Sequence, residues 1–88
     1  MEKKNRKIIA KALGVFTWSG CMRSITSCLE TVNAGQIRGA VLTKENGDRY
    51  LDITAGDDKR YRMYLSQNNS VEAVKDLDTG EWPVRSYR

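Results

Sequence analysis

The chain has 88 residues, 40% hydrophobic and 30% charged, with 15 Lys or Arg against 11 Asp or Glu, a formal charge of +4. A chain of this size holds one small hydrophobic core with little stability to spare, and it has no apolar run near the roughly 20 residues that cross a bilayer. Histidine is absent, which removes the commonest general base, the usual activator of a nucleophile and the commonest zinc ligand. The composition points to a protein that acts by binding, with no catalytic constellation, metal or cofactor expected.

The first segment, EKKNRKIIAKALGVF, is a basic amphipathic helix. Lys4, Lys7 and Lys11 share a stripe with Lys3 and Arg6 beside it, while Ile9, Leu13 and Phe16 lie roughly opposite. Residues 1–38 carry seven basic and two acidic side chains, and residues 39–88 carry eight basic and nine acidic ones. The whole positive excess is therefore N-terminal. Cations at a helix start oppose its macrodipole, so the placement is locally unfavourable and an anionic partner would relieve it. A solvated outer face is the plainer account of the same run, and anionic membrane or an acidic protein surface are weaker alternatives to nucleic acid. The basic start also suggests a secretory leader, but Lys11 interrupts the apolar section and no clean cleavage site follows; a cytoplasmic protein is expected.

Apolar positions continue at helical spacing through Ile8, Ala12, Val15, Trp18, Met22, Ile25, Leu29 and Val32. One unbroken helix over that span would be about 43 Å long, against about 23 Å for seven-residue strands, so a break is expected at Gly14 and TWSG. Thr17 or Ser19 then caps a second helix, and Gly35 stops it. Cys21 and Cys28 fall on one helical face about 10 Å apart along the axis, too far for a bridge within one helix, and read as two buried thiols. Without histidine, Cys21 has no partner to activate it.

Beyond Gly35 the pattern alternates. RGAVLTK and DRYLDITA flank Asn46-Gly47, the strongest short hairpin signal, which pairs Lys44 with Arg49, Leu42 with Leu51 and Ala40 with Ile53. A three-residue loop, residues 56–58, aligns Ile53 with Tyr61 and Leu51 with Met63. Asp57 and Asp58 in that loop read as turn chemistry. KRYRMYL is thereby divided: Tyr61, Met63 and Leu65 face the core, and Arg60, Arg62 and Tyr64 face outward, with Arg62 opposite Asp52 and Tyr64 opposite Tyr50. A loop at residues 68–70 would add Asp76 opposite Arg62 and Val74 opposite Tyr64. Residues 70–78 read as a strand, although Asn69 and Glu72 have the spacing of a helix capping box. WPVRSYR is a last strand that Pro83 confines to an edge, with Trp82 in or half in the core opposite Leu77.

The fold class expected is α+β: an N-terminal helical hairpin or kinked helix packed on a four- to five-stranded antiparallel β-meander. One domain spans residues 1–88, helical over 1–34 and antiparallel over 36–88. The function expected is that of a small, basic, non-enzymatic accessory protein that binds nucleic acid, RNA rather than DNA. Lys3, Lys4, Arg6, Lys7 and Lys11 form the main surface, and Arg38, Arg60, Arg62 and Tyr64 a secondary one. Sheet-based RNA binders stack bases on aromatic residues in this way, but no RNP-like motif occurs and the strand–helix order differs. Carboxylates opposite Arg62 favour plain cross-strand ion pairing on that face. The alternative function is a phage-type inhibitor or antitoxin-like protein that blocks a host macromolecule directly, with RNA as a further component. Pairing of the long apolar helical stripe with its copy would make a homodimer; no membrane partner is expected.

Overall fold

The computed structural model describes residues 3–15 and 22–85. These form α1 (Lys3–Leu13), α2 (Arg23–Thr31), β1 (Ile37–Glu45), β2 (Asp48–Ala55), β3 (Arg60–Leu65) and β4 (Val71–Asp76). The strands pair antiparallel in the order β1-β2-β3-β4, giving an α+β fold with helices on one face of a meander. Among the described residues no helix is long and apolar enough to cross a membrane.

The helical break falls at Gly14. Its φ of +74° is left-handed backbone that costs glycine nothing, and it lets the Gly14 and Val15 N–H groups close back on the Lys11 and Ala10 carbonyls at 3.2 and 3.0 Å. α2 ends by the same device one residue type away: Asn33, φ +54°, takes the left-handed position, and the Asn33 and Ala34 N–H groups donate to the Glu30 and Leu29 carbonyls. Gly35, expected to be the cap, instead turns the chain toward β1 with φ +59°. α2 begins at Arg23 without a side-chain cap. The expected caps Thr17 and Ser19 lie outside the described residues, as do Phe16, Trp18 and Cys21.

Asn46 and Gly47 both have positive φ, +52° and +82°, so the first hairpin closes with the type I′ turn its sequence predicts. β1 and β2 pair Lys44 with Arg49, Leu42 with Leu51 and Ala40 with Ile53. β2 and β3 pair Ile53 with Tyr61, Leu51 with Met63, Asp52 with Arg62 and Tyr50 with Tyr64. Each of these matches the expected register.

The third hairpin does not. Arg62 lies opposite Lys75, not Asp76, and Tyr64 opposite Ala73, not Val74, with a bulge between Tyr64 and Leu65. The loop is longer than expected because its own polar groups hold it open. The Ser66 N–H donates to the Ser70 carbonyl at 2.8 Å and the Asn69 N–H to the Ser66 carbonyl at 3.1 Å, and Ser66 Oγ bonds the Asn68 side chain. Arg49, reaching from β2, donates to the Ser66 carbonyl at 2.9 Å and to Asn69 Oδ1 at 2.8 Å. The strand reading of residues 70–78 holds over Val71–Asp76.

No fifth strand forms among the described residues. Pro83 has no N–H to give a ladder, and residues 81–84 meet β4 through an isolated bridge, Val74 to Val84. The Val74 and Asp76 N–H groups donate to the Val84 and Glu81 carbonyls, each at 2.8 Å.

One face of the sheet carries Ile37, Leu51, Ile53, Ala55, Tyr61, Met63, Leu65 and Val74, which meet Ile9 from α1 and Met22, Ile25, Cys28 and Leu29 from α2 in a continuous buried cluster. α1 packs against β1 and α2 against β4. Each helix is also tied to its strand by one polar side chain. Asn5, 3% exposed, donates from Nδ2 to the Gly35 carbonyl at 2.8 Å and accepts the Ile37 N–H on Oδ1 at 2.9 Å. Ser24 Oγ accepts the Val71 N–H at 2.9 Å.

Candidate nucleic-acid interface

α1 presents its charge because of what it buries. Asn5 and Ile9, one turn apart, are its buried residues and fix its inward side. At about 100° per residue the five cations then span an arc of about 160° centred away from the sheet. Lys3, Lys4, Arg6, Lys7 and Lys11 are all exposed. The eleven residues of α1, KKNRKIIAKAL, contain no carboxylate.

The opposite face of the sheet is built differently. Cross-strand pairing sets Val41, Asp52, Arg62 and Lys75 in one row and Thr43, Tyr50, Tyr64 and Ala73 in the next. Arg62 donates from Nε to Asp52 Oδ1 at 2.8 Å and from Nη2 to Oδ2 at 3.3 Å. That bidentate bond to Asp52 raises the guanidinium pKa further above its ordinary value, against the opposing effect of desolvation. The same guanidinium lies 4.2 Å from the centre of the Tyr50 ring. Tyr50 and Tyr64 are tilted at 5.8 Å between centroids, and Tyr64 stacks on Trp82 at 5.7 Å. The Lys75 ammonium lies 5.5 Å from the Trp82 ring. Tyr50 donates its hydroxyl to Glu45 Oε2 at 2.8 Å, and this bond pushes the phenol pKa up.

Trp82 is therefore not a core residue opposite Leu77: it is 40% exposed and lies on the outward face, where it covers Tyr64. Ala73 opposite Tyr64 leaves the space a larger side chain would fill, and Ala73 is buried although it points away from the main core. The rings and the two cations make a small second cluster that fastens residues 81–84 to the sheet.

The secondary arginines are all held by carboxylates. Arg38, on the bulged start of β1, pairs with Asp58. Arg60 reaches Asp78 at 3.3 Å from Nη2 and donates its N–H to Asp78 Oδ2 at 3.0 Å; the backbone bond chiefly lowers the Asp78 pKa. Arg62 has Asp52, and the second carboxylate expected beside it, Asp76, instead accepts the Asp78 and Thr79 N–H groups at 2.8 and 3.1 Å.

The fold thus separates the residues that sequence grouped together. The five α1 cations are on the helical layer. Arg60, Arg62 and Tyr64 are on the far side of the sheet, and only Arg38 lies beside α1, one residue from the Asn5–Ile37 bond. Sequence reasoning missed Lys75, through the register slip, and Trp82, through its assignment to the core. It also missed Asn5, whose signal is a polar residue four positions before Ile9 on the apolar side. Among the described residues no group of three or more Cys, Asp or Glu could hold a metal ion. Compared with family models, curated proteins and solved structures, the chain has no significant match in any of the three.

Proposed function

We propose that this is a small, non-enzymatic, cytoplasmic accessory protein that binds nucleic acid backbone through α1. The observation that carries the reading is the contrast between the two basic surfaces: four exposed lysines, Lys3, Lys4, Lys7 and Lys11, beside Arg6 on a helix with no carboxylate of its own, against three sheet arginines each engaged by an aspartate. A cluster of that size displaces several condensed counterions from a phosphate chain, which supplies affinity without base recognition. RNA is favoured over DNA because the exposed ring of Trp82 offers an unpaired base a place to stack on the outward face. The free buried thiol of Cys28 suits a reducing compartment.

Anisotropy of labelled single-stranded RNA and duplex DNA tests this. Replacement of Lys3, Lys4, Arg6, Lys7 and Lys11 by Gln is expected to weaken RNA binding by more than tenfold, whereas Arg60→Gln changes it little. Equal binding by the five-fold variant overturns the reading.

A second reading, direct inhibition of another macromolecule in the manner of a phage inhibitor or antitoxin, draws on the outward sheet face. Trp, Tyr and Arg together are the residues that dominate protein interfaces, and Glu45, Asp48 and Asp52 around them repel phosphate. A captured partner that survives nuclease treatment supports this second reading; one lost with the RNA supports the first.

A further inference from the structure

The sheet finishes its two edges unequally. β4 is covered by residues 81–84, whose Val84 and Glu81 carbonyls take the Val74 and Asp76 N–H groups. β1 is the other edge; among the described residues its free side has a bond only at its start, where the Ile37 N–H donates to Asn5 Oδ1, and none over Gly39–Glu45. Proteins normally blunt such an edge with Pro, central Lys, a short strand or a bulge. β1 is nine residues long without Pro, its bulge lies at its start between Ile37 and Gly39, and its centre, GAVLT, is uncharged. Val41 in that centre is 64% exposed.

The two-residue turn makes Glu45 and Asp48 a hydrogen-bonded pair, so by alternation Thr43 and Val41 also bond to β2. The N–H and C=O groups of Ala40, Leu42 and Lys44 therefore point away from the sheet. We infer that β1 pairs antiparallel with β1 of a second copy, Val41 against Val41 across a two-fold axis normal to the sheet.

The register suits a copy of the same strand. Ala40 of one copy meets Leu42 of the other, both half-buried against the core, and Gly39 meets Thr43. Val41, the most exposed aliphatic side chain among the described residues, meets itself. Arg38 faces Lys44, and its charge is already answered by Asp58. α1 is tied to the start of β1 through Asn5, so the two helices lie at opposite ends of the joint, their anchor points about 26 Å apart along the strands, and do not collide. An axis normal to the sheet leaves both helices on the same side. Ten cations then line one surface; this last consequence rests on the nucleic-acid reading, whereas the strand pairing does not.

Light scattering on the full chain and disulfide trapping test the pairing. In a background of Cys21→Ser and Cys28→Ala, Val41→Cys is expected to form a covalent dimer on mild oxidation, because a non-hydrogen-bonded pair brings its Cα atoms to about 4.5 Å, within disulfide reach. Thr43→Cys, whose partner is Gly39, is expected to cross-link at least tenfold more slowly. Val41→Lys places two ammonium groups at the axis and is expected to give a folded monomer, with circular dichroism unchanged and the salt slope of RNA binding halved. A monomeric wild-type chain at micromolar concentration, equal cross-linking at positions 41 and 43, or a Val41→Lys dimer overturns the inference. RNA binding by a monomeric wild type would overturn the pairing alone, and a trapped Val41→Cys dimer that ignores RNA would overturn the α1 reading alone.

Discussion

Asn5 does what a core residue cannot. The start of β1 leaves the Ile37 N–H buried without a strand partner, and a buried donor without a partner costs about 1–3 kcal/mol. Asn5 Oδ1 accepts it, and Nδ2 satisfies the Gly35 carbonyl. Asn5→Ala is therefore expected to lower stability by about 2–3 kcal/mol, read in urea as a lower midpoint at unchanged slope. Its role was not legible in the sequence, because its partners lie 30 and 32 residues away and a lone Asn among lysines looks like part of the solvated face.

Two buried groups contribute to the alkaline behaviour, beside Tyr50 on the outward face. Burial pushes the Cys28 thiol above its ordinary 9.0 and the Tyr61 phenol above its ordinary 10.0. The folded state thus holds these protons more tightly than the unfolded state does. Their contribution is full below those ordinary values and is lost as pH rises through the folded pKa values. Melting temperature is expected to hold to about pH 9 and then decline, and Cys28→Ala with Tyr61→Phe is expected to flatten the decline. An equal decline in the double variant would place the titrating groups elsewhere.

Among the elements, the first two hairpins were legible and the third was not. Asn46-Gly47 fixes a turn from two adjacent residues, and a turn of known length fixes every pair that follows it. The loop after β3 is instead set by Arg49, whose guanidinium crosses from β2 to hold the Ser66 carbonyl and Asn69. No local rule contains that contact. Its result is that Lys75, not Asp76, stands beside Arg62, which changes the charge of the outward face.

Gly14 offers a clean check of the helical break. A Cβ built there meets nothing within 4 Å, so Gly14→Ala isolates the cost of left-handed backbone, about 1–2 kcal/mol. The fastening of residues 81–84 is tested by Trp82→Ala. Loss of the ring contacts with Tyr64 and Lys75 is expected to reduce hydrogen-exchange protection of the Val74 and Asp76 amides, which donate to this segment. Protection in β2 should be unchanged. Uniform loss across the sheet would mean that Trp82 supports the whole fold instead.

At the scale of the molecule, the helical layer and the outward sheet face are two surfaces of different character. One is a basic helix without carboxylates, and the other is a ring cluster whose arginine is already paired. The N-terminal charge excess was legible from composition by halves. Alternation already put Arg60 and Arg62 outward, away from the core, but that Arg38 lies beside α1 required the topology, because it follows from the bulge at the start of β1 and the Asn5–Ile37 bond.

Salt dependence of RNA binding reads out whether α1 holds the phosphate chain. If the five cations of each α1 each neutralise a phosphate of a single strand, log K should fall linearly with log salt with a slope of about −3.5 per chain, about −7 for the β1-paired dimer, and the five-fold glutamine variant should bring that slope near zero. Binding insensitive to salt, or a slope that the variant leaves unchanged, would contradict the account.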